Sequence, residues 1–278
     1  MAGAGILSSL VPRRFIQSAV ALNSLQFNLS RAIGPMIAGI LLAWAGAGWC
    51  FAVNAASFLA VIVALWRIEV PSPATSPGEP LIRSLGAGFR FVAKSPVLSL
   101  LTSLAAVGSV LSFPMVTFLP VLAGKTLRLD AHGYGALLTS FGVGAIAGAL
   151  RTAQRGSAPG RGRRLTLALA GYGAAAIVAV ASRRPILTAL FLFAAGFALV
   201  SAFSVLNALV QEHAPEEIRG RVVGIYGVAF RGGMPLGSLV AGFLVKAWGV
   251  PLVMGGFSAT LVLVALGFHA WSPRLRRL

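Results

Sequence analysis

Arginines inside apolar stretches are the residues of this chain whose type and position could do chemistry. Arg31 lies in the middle of the first long apolar run, and Arg231 lies at a comparable depth in a later one. An arginine at the centre of a bilayer costs about 2.5 to 3.5 kcal/mol on insertion scales, so it usually faces a partner or a water-filled cavity. Asn23 and Phe27 share a helical face with Arg31. We expect these arginines either to bind an anionic group or to tie helices together through carbonyls.

Proline and glycine next to these arginines predict helices that can bend. Pro35 follows Arg31 by four residues, and Pro235 follows Arg231 at the same distance along the chain. Proline removes a helix hydrogen bond, and Gly34 lets a neighbouring helix approach closely. We therefore predict gating positions at Gly34, Pro35 and Pro235.

Two polar side chains complete the predicted substrate-binding set of Arg31, Asn23, Phe27, Arg231, Tyr226 and Asn207. Tyr226 lies in the same apolar run as Arg231, and Asn207 lies in the run before it. Such residues either line a central cavity or form hydrogen bonds to a neighbouring helix, and the sequence leaves both interpretations open.

The remaining polar residues do not form a pattern typical of an enzyme, metal site or cofactor site. The chain has no G-x-S-x-G elbow, no phosphate-binding glycine loop and no paired catalytic carboxylates. His132, His213 and His269 lack metal-ligand spacing, and the single cysteine, Cys50, excludes an intrachain disulfide. All six acidic residues lie in loops or at helix ends. No apolar run therefore carries a protonatable carboxylate; either helices outside this chain supply one, or any coupling to proton movement is lost.

Composition places most of the chain in lipid. Of its 278 residues, 57% are hydrophobic and only 10% are charged, and the mean hydropathy is +0.87. A soluble domain carries about a quarter of charged residues. The formal net charge of +17 comes from basic clusters at the ends of apolar runs rather than from a polar basic face, so we predict no nucleic-acid partner.

Apolar runs long enough to span a bilayer predict an all-α polytopic helix bundle of about eight transmembrane helices. The runs cover residues 17–45, 49–66, 97–123, 133–150, 165–182, 185–211, 220–247 and 250–271. We divide the chain into residues 1–66 with two spans, a linker over 67–95 with an amphipathic helix on the membrane surface, and residues 96–278 with six spans. Basic residues concentrate on alternate connections, which predicts that both termini are cytoplasmic.

A weak internal repeat predicts that further helices precede this chain in the complete fold. A shift of 203 residues superposes Pro12 on Pro215 and Gly34 on Gly237. On that offset the two earliest spans match the last two of the six later ones, and four further helices would precede them. Parallel six-helix repeats joined by a linker are a recurring transporter architecture.

Three segments carry a family resemblance: the run from LVPRRFIQSAVALN to NAASFLAVIVAL, the linker EPLIRSLGAGFRFVAKSPVL, and QEHAPEEIRGRVVGIYGVAFRGGMPLGSLVAGFL. Together they resemble helices five to twelve of a bacterial major facilitator superfamily permease, most similar to the branch of enterobactin exporters and drug-efflux permeases. The Gly34-Pro35 pair resembles the antiporter motif of drug exporters. The resemblance implies a proton-coupled exporter of a small drug or siderophore-like solute, working by alternating access in the cell inner membrane.

A second hypothesis belongs to another class. A chain lacking four helices could be a non-transporting remnant, or an assembly partner that needs another polypeptide to complete the bundle. The presence or absence of an in-frame coding extension upstream of Met1 separates the two hypotheses.

Overall fold

The computed structural model describes residues 81–155, 159–215 and 218–271, together with residues 37, 41, 44–46, 48–64, 66 and 67. Within these residues the secondary structure is helical, as predicted. Most of the first predicted span, 17–45, lies outside them. The second, 49–66, corresponds to helix α1 (Gly48–Ala64), which is shorter than a full crossing and exposed over residues 51–64.

Six helical segments in the described part are long and apolar enough to cross a membrane, and they correspond to the six spans predicted after residue 96. They follow α2 (Leu81–Lys94). The first of them is divided into α3 (Pro96–Ser112), α4 (Pro114–Val121) and a π-helical turn (Leu122–Thr126). The other five are α5 (Ala131–Arg155), α6 (Arg161–Ala181), α7 (Pro185–His213), α8 (Arg219–Trp248) and α9 (Val250–Trp271).

Glycines bring α5 and α7 into backbone contact. A methyl group on Gly144 or Gly148 of α5 would overlap the carbonyl oxygen of Phe193 or Phe197, and one on Gly196 of α7 would overlap that of Phe141. Lipid tails supply no hydrophobic force between helices, so association rests on close packing of this kind. These glycines therefore fix α5 against α7, the most extensive helix contact in the described part of the chain.

Helix α6 joins α7 and α9 into the same body. Thr166 Oγ1 lies 3.1 Å from His269 Nδ1 on α9, and Gly173 packs against the Ser258 carbonyl of that helix. The interior of this body is aliphatic. Large side chains fully buried within the bundle as a whole include Leu98, Leu101, Leu104, Leu119, Leu122, Leu137, Leu165, Leu169, Tyr172, Leu192, Leu206 and Leu209.

Helix α8 packs along one side on α3. A methyl group on Gly233 would overlap Ser109 Oγ, and one on Gly237 would overlap the Val110 carbonyl oxygen. Further along, Thr117 Oγ1 of α4 lies 3.0 Å from Ser238 Oγ. The side of α8 away from α3 is largely exposed.

Helix α2 covers the beginning of α8. Gly88 and Val92 of α2 are buried, and a Cβ on Gly88 would lie 3.0 Å from Ile225 Cδ1. Ser95 then caps α3 through a 3.5 Å contact from the Leu98 amide. The amphipathic linker helix expected from sequence is thus in contact with the helix bundle.

Candidate functional site

Arg231 lies near the middle of α8 and its side chain is exposed. Residues on the same helical face are exposed as well: Val228 is 73% exposed, Leu239 is 59% exposed, and Pro235 lies between them. We call Val228, Arg231, Pro235 and Leu239 the Arg231 face. The face places one positive charge within an apolar stripe at membrane depth, where a charge without water or a partner costs several kcal/mol.

The opposite side of the same helical turn is closed by aromatic rings. Phe203 of α7 and Phe230 of α8 have ring centroids 4.6 Å apart, and Phe113 meets Phe230 edge-on at 5.6 Å. Tyr226 lies parallel to Phe230 at 6.0 Å. Offset and edge-on ring pairs contribute about 0.5 to 1.5 kcal/mol beyond the area they bury. The aromatic cluster, Phe113, Phe203, Tyr226 and Phe230, thus joins the α3–α4 junction to α7 and α8 on the side of α8 away from Arg231.

The polar candidates occupy different environments. Tyr226 is only 5% exposed and belongs to the aromatic cluster. Asn207 is half-buried one turn beyond Phe203 on α7, where its side-chain oxygen accepts a 2.5 Å hydrogen bond from Gln211 Nε2. Asn207 and Arg231 are therefore more accessible than Tyr226.

Pro235 sits inside a helix that stays continuous from Arg219 to Trp248. Because proline has no amide hydrogen, the carbonyl of Arg231 loses its usual i+4 donor. Neighbouring Gly232 and Gly233 leave this segment without side chains that would stiffen it. The predicted gating position thus coincides with the turn that carries Arg231.

Sequence reasoning missed a second interruption, between α3 and α4. The Val116 amide bonds to Phe113 rather than to Ser112, so the Ser112 carbonyl lacks its helical donor. The Tyr172 hydroxyl of α6, which is fully buried, donates a 2.6 Å hydrogen bond to that carbonyl. The signal was present in Pro114, since proline cannot continue the α-helical hydrogen-bond pattern.

One ion pair closes the end of the bundle where α6 begins and α7 ends. Arg161 donates to both carboxylate oxygens of Glu212, with 2.8 Å between Nη2 and Oε1. The only described acidic residue on α7 is therefore engaged at a helix end. Asp130 similarly lies just before α5, where it accepts a 2.9 Å hydrogen bond from the Gly133 amide.

The remaining predicted site residues, Asn23, Phe27, Arg31, Gly34 and Pro35, lie outside the described residues. The predicted substrate-binding and gating roles of these five residues consequently stay predictions. The residues that it does bring together are Arg231, Pro235 and the aromatic cluster, with Asn207 one turn away on α7.

Helices of membrane-spanning length that pack through glycines, one of them with an exposed arginine near its middle, define a polytopic α-helical membrane protein. The chain belongs to the major facilitator family described as transmembrane secretion effector (MFS_3), whose profile matches residues 2–276.

Among curated proteins, the chain is similar to the enterobactin exporter EntS of Shigella flexneri, with 29% identity over 96% of this chain. It is equally similar, at 29% identity over 95% of the chain, to EntS of Escherichia coli O1:K1 / APEC. The chain spans 65% of the length of each of these relatives. The predicted family branch is confirmed.

A solved structure shares the fold. A bacterial homologue of the human lysosomal transporter Spinster, in an inward-facing and unoccupied conformation, matches with a TM-score of 0.65 at 15% identity. The match covers 99% of this chain and 74% of that one. The predicted partial major facilitator fold is thereby confirmed.

Proposed function

We propose that the chain is part of a secondary transporter that exports a small, siderophore-like solute by alternating access. Membership of the secretion effector family and the similarity to enterobactin exporters support transport over the alternative of a non-transporting assembly partner. The observation that carries the proposal is the exposed Arg231 at membrane depth.

Arg231 would hold an anionic group of the solute. A guanidinium presents a planar set of donors and stays charged at any physiological pH, so it can bind carboxylate or phenolate oxygens in two-point fashion. In a site of low dielectric such charge-assisted bonds are stronger than in water. Asn207, with its partly accessible amide, would add a neutral hydrogen bond from the adjacent helix.

Movement would come from the two interrupted helices that meet at the aromatic cluster. Pro235 weakens α8 beside Arg231, and the α3–α4 junction at Phe113 weakens the helix packed against it. A change of angle at either point would shift Phe230 and hence the depth and direction of the Arg231 face. This is the coupling between solute and helix geometry that alternating access requires.

Proton entry is the proposed driving force, and it requires a carboxylate from outside the described spans. Glu212 is already paired with Arg161, and Asp130 caps α5. We further propose that the protein lies in the inner membrane, with the basic ends of the spans toward the cytoplasm.

Transport by the full chain in proteoliposomes tests the proposal, with enterobactin as the probe and an imposed pH gradient. We expect accumulation above that in protein-free liposomes, and at least a tenfold lower rate for Arg231→Ala because the solute loses its anion partner. Arg183→Ala, in the exposed α6–α7 connection, is the matched control and should transport normally. Folded wild-type protein that moves no solute would refute the proposal. Equal rates for wild type and Arg231→Ala would refute the site.

A further inference from the structure

The short helix α2 presents a basic and aromatic surface that the transport proposal does not use. Gly88 and Val92 face the bundle, while Arg90 and Lys94 are exposed and lie about half a helical turn away from them. Phe89 is 66% exposed and lies on the flank between these two sides. The helix therefore has three sides: one packed on protein, one carrying an exposed ring, and one carrying positive charge.

The packed side of α2 lies against α8. A Cβ on Gly88 would lie 3.0 Å from Ile225 Cδ1 and 3.2 Å from the Cβ of Arg221, so α2 meets α8 through Gly88. Arg90 and Lys94 lie on the other side of α2 and point away from α8. We define Phe89, Arg90 and Lys94 as the α2 basic patch.

The patch lies where the spans enter the bilayer. Helix α2 ends one residue before α3 begins, and it touches the first two turns of α8. A helix so placed lies at the headgroup level, and an exposed phenylalanine on its flank can enter the outer part of the acyl region. The guanidinium and ammonium groups then lie among phosphates.

Among the described residues, the charge at this end of the bundle is mostly positive. Glu212 is paired with Arg161. Further exposed basic residues at the same end of the spans are Arg151, Arg155 and Arg163. An anionic headgroup would supply negative charge to Arg90 and Lys94, whereas a zwitterionic headgroup carries a cation that offsets its own phosphate.

We propose that the α2 basic patch binds the headgroup of an anionic phospholipid, with Arg90 and Lys94 on the phosphate and Phe89 against the acyl chain. The bound lipid would hold α2 at the headgroup level, beside the start of the helix that carries Arg231. A soluble anion or a nucleic acid would bind the basic side chains but would leave the exposed Phe89 without a role. A lipid would contact the basic side chains with its headgroup and Phe89 with its acyl chain.

Native mass spectrometry of the purified full chain, titrated with phosphatidylglycerol and separately with phosphatidylcholine, tests the proposal. We expect clear preference for phosphatidylglycerol in the wild type. In the Arg90→Gln/Lys94→Gln variant we expect about 30-fold weaker binding, from two basic contributions at an anionic surface. The matched control is Arg183→Gln/Arg184→Gln, which removes two exposed arginines from the opposite end of the spans and should bind as the wild type does.

A conservative variant separates loss of charge from loss of fold. Arg90→Lys/Lys94→Arg keeps both charges and should retain the preference, and its thermal midpoint should rise with phosphatidylglycerol as that of the wild type does. Equal binding of the two lipids would overturn the proposal, as would wild-type binding by the glutamine variant. Equal loss in both double variants would show a diffuse charge effect, and competition by millimolar inorganic phosphate would show a plain anion site; either result would overturn it too.

Discussion

Helices α6 and α8 are both long enough to cross the membrane, but α6 is much more buried in the protein than α8. Half of the most apolar stretch of α6 is buried inside the protein, against 17% for α8. Helix α6 is held between α7 and α9, whereas α8 leans on α3 with one side and exposes the other. Lipid tails are as apolar as the interior of a membrane protein. Exposed apolar residues are therefore ordinary on a membrane helix, whereas an exposed charge is not. The contrast therefore separates a closed, structural side of the bundle from the exposed face of α8 that carries Arg231, where we propose that a polar partner binds.

Close packing accounts for the closed side. The glycines of α5 and α7 let the two backbones touch, and such close contacts leave no space for one helix to move against the other. Helix α8 uses the same device at Gly233 and Gly237, toward α3. Under the proposed function, α8 would stay attached along that line while its other face changes surroundings.

The largest expected effect on stability comes from disturbing the contact between α5 and α7. Gly144→Ala places a methyl group on the Phe193 carbonyl oxygen, so α5 and α7 must separate; we expect a loss of about 1 to 3 kcal/mol or more, measured as a lower thermal midpoint in detergent. Gly171→Ala on α6 is the control, since a Cβ there meets nothing within 4 Å. Its midpoint should stay the same or rise slightly. Equal midpoints for the two variants would remove the distinction between packed and open positions.

A smaller effect on stability should follow from removing the hydrogen bond between α6 and the α3–α4 junction. Tyr172→Phe removes the hydroxyl that serves the Ser112 carbonyl at the α3–α4 interruption, at a cost of about 1 kcal/mol in thermal or denaturant unfolding. The control Thr260→Val also removes a side-chain hydrogen bond, but one within α9, and should change stability by less than about 0.5 kcal/mol. A Tyr172→Phe variant no less stable than Thr260→Val would mean that the interruption does not depend on α6.

Hydropathy located the membrane helices well because one physical requirement, burial of about 20 residues in hydrocarbon, dominates their composition. The predicted run 97–123 matches a helical segment that extends to Thr126. Its interruption at Phe113 was not predicted, because an average over 20 residues is insensitive to a single missing amide. The prolines at 114 and 120 carry that information locally.

The candidate site was harder to predict for a different reason. Arg231 and Pro235 stand out in sequence because each is costly in its own helix. Phe113 and Phe203 do not, since phenylalanine is common in apolar helices and periodicity within one helix says nothing about rings on another. Tyr226 was predicted as a polar lining residue, and the structure places its ring in the aromatic cluster. Only the packing of three helices reveals that grouping.

The central proposal is that the Arg231 face binds a solute, which requires that it meet water rather than lipid. Single cysteines in a Cys50→Ala background test it most directly, by reaction of the full chain in liposomes with a charged, water-soluble thiol reagent. Arg231→Cys should react readily, whereas Leu263→Cys, on α9 where the side chain is 71% exposed, should stay unmodified because it faces hydrocarbon. Two equally unreactive cysteines would place Arg231 in lipid and contradict the account.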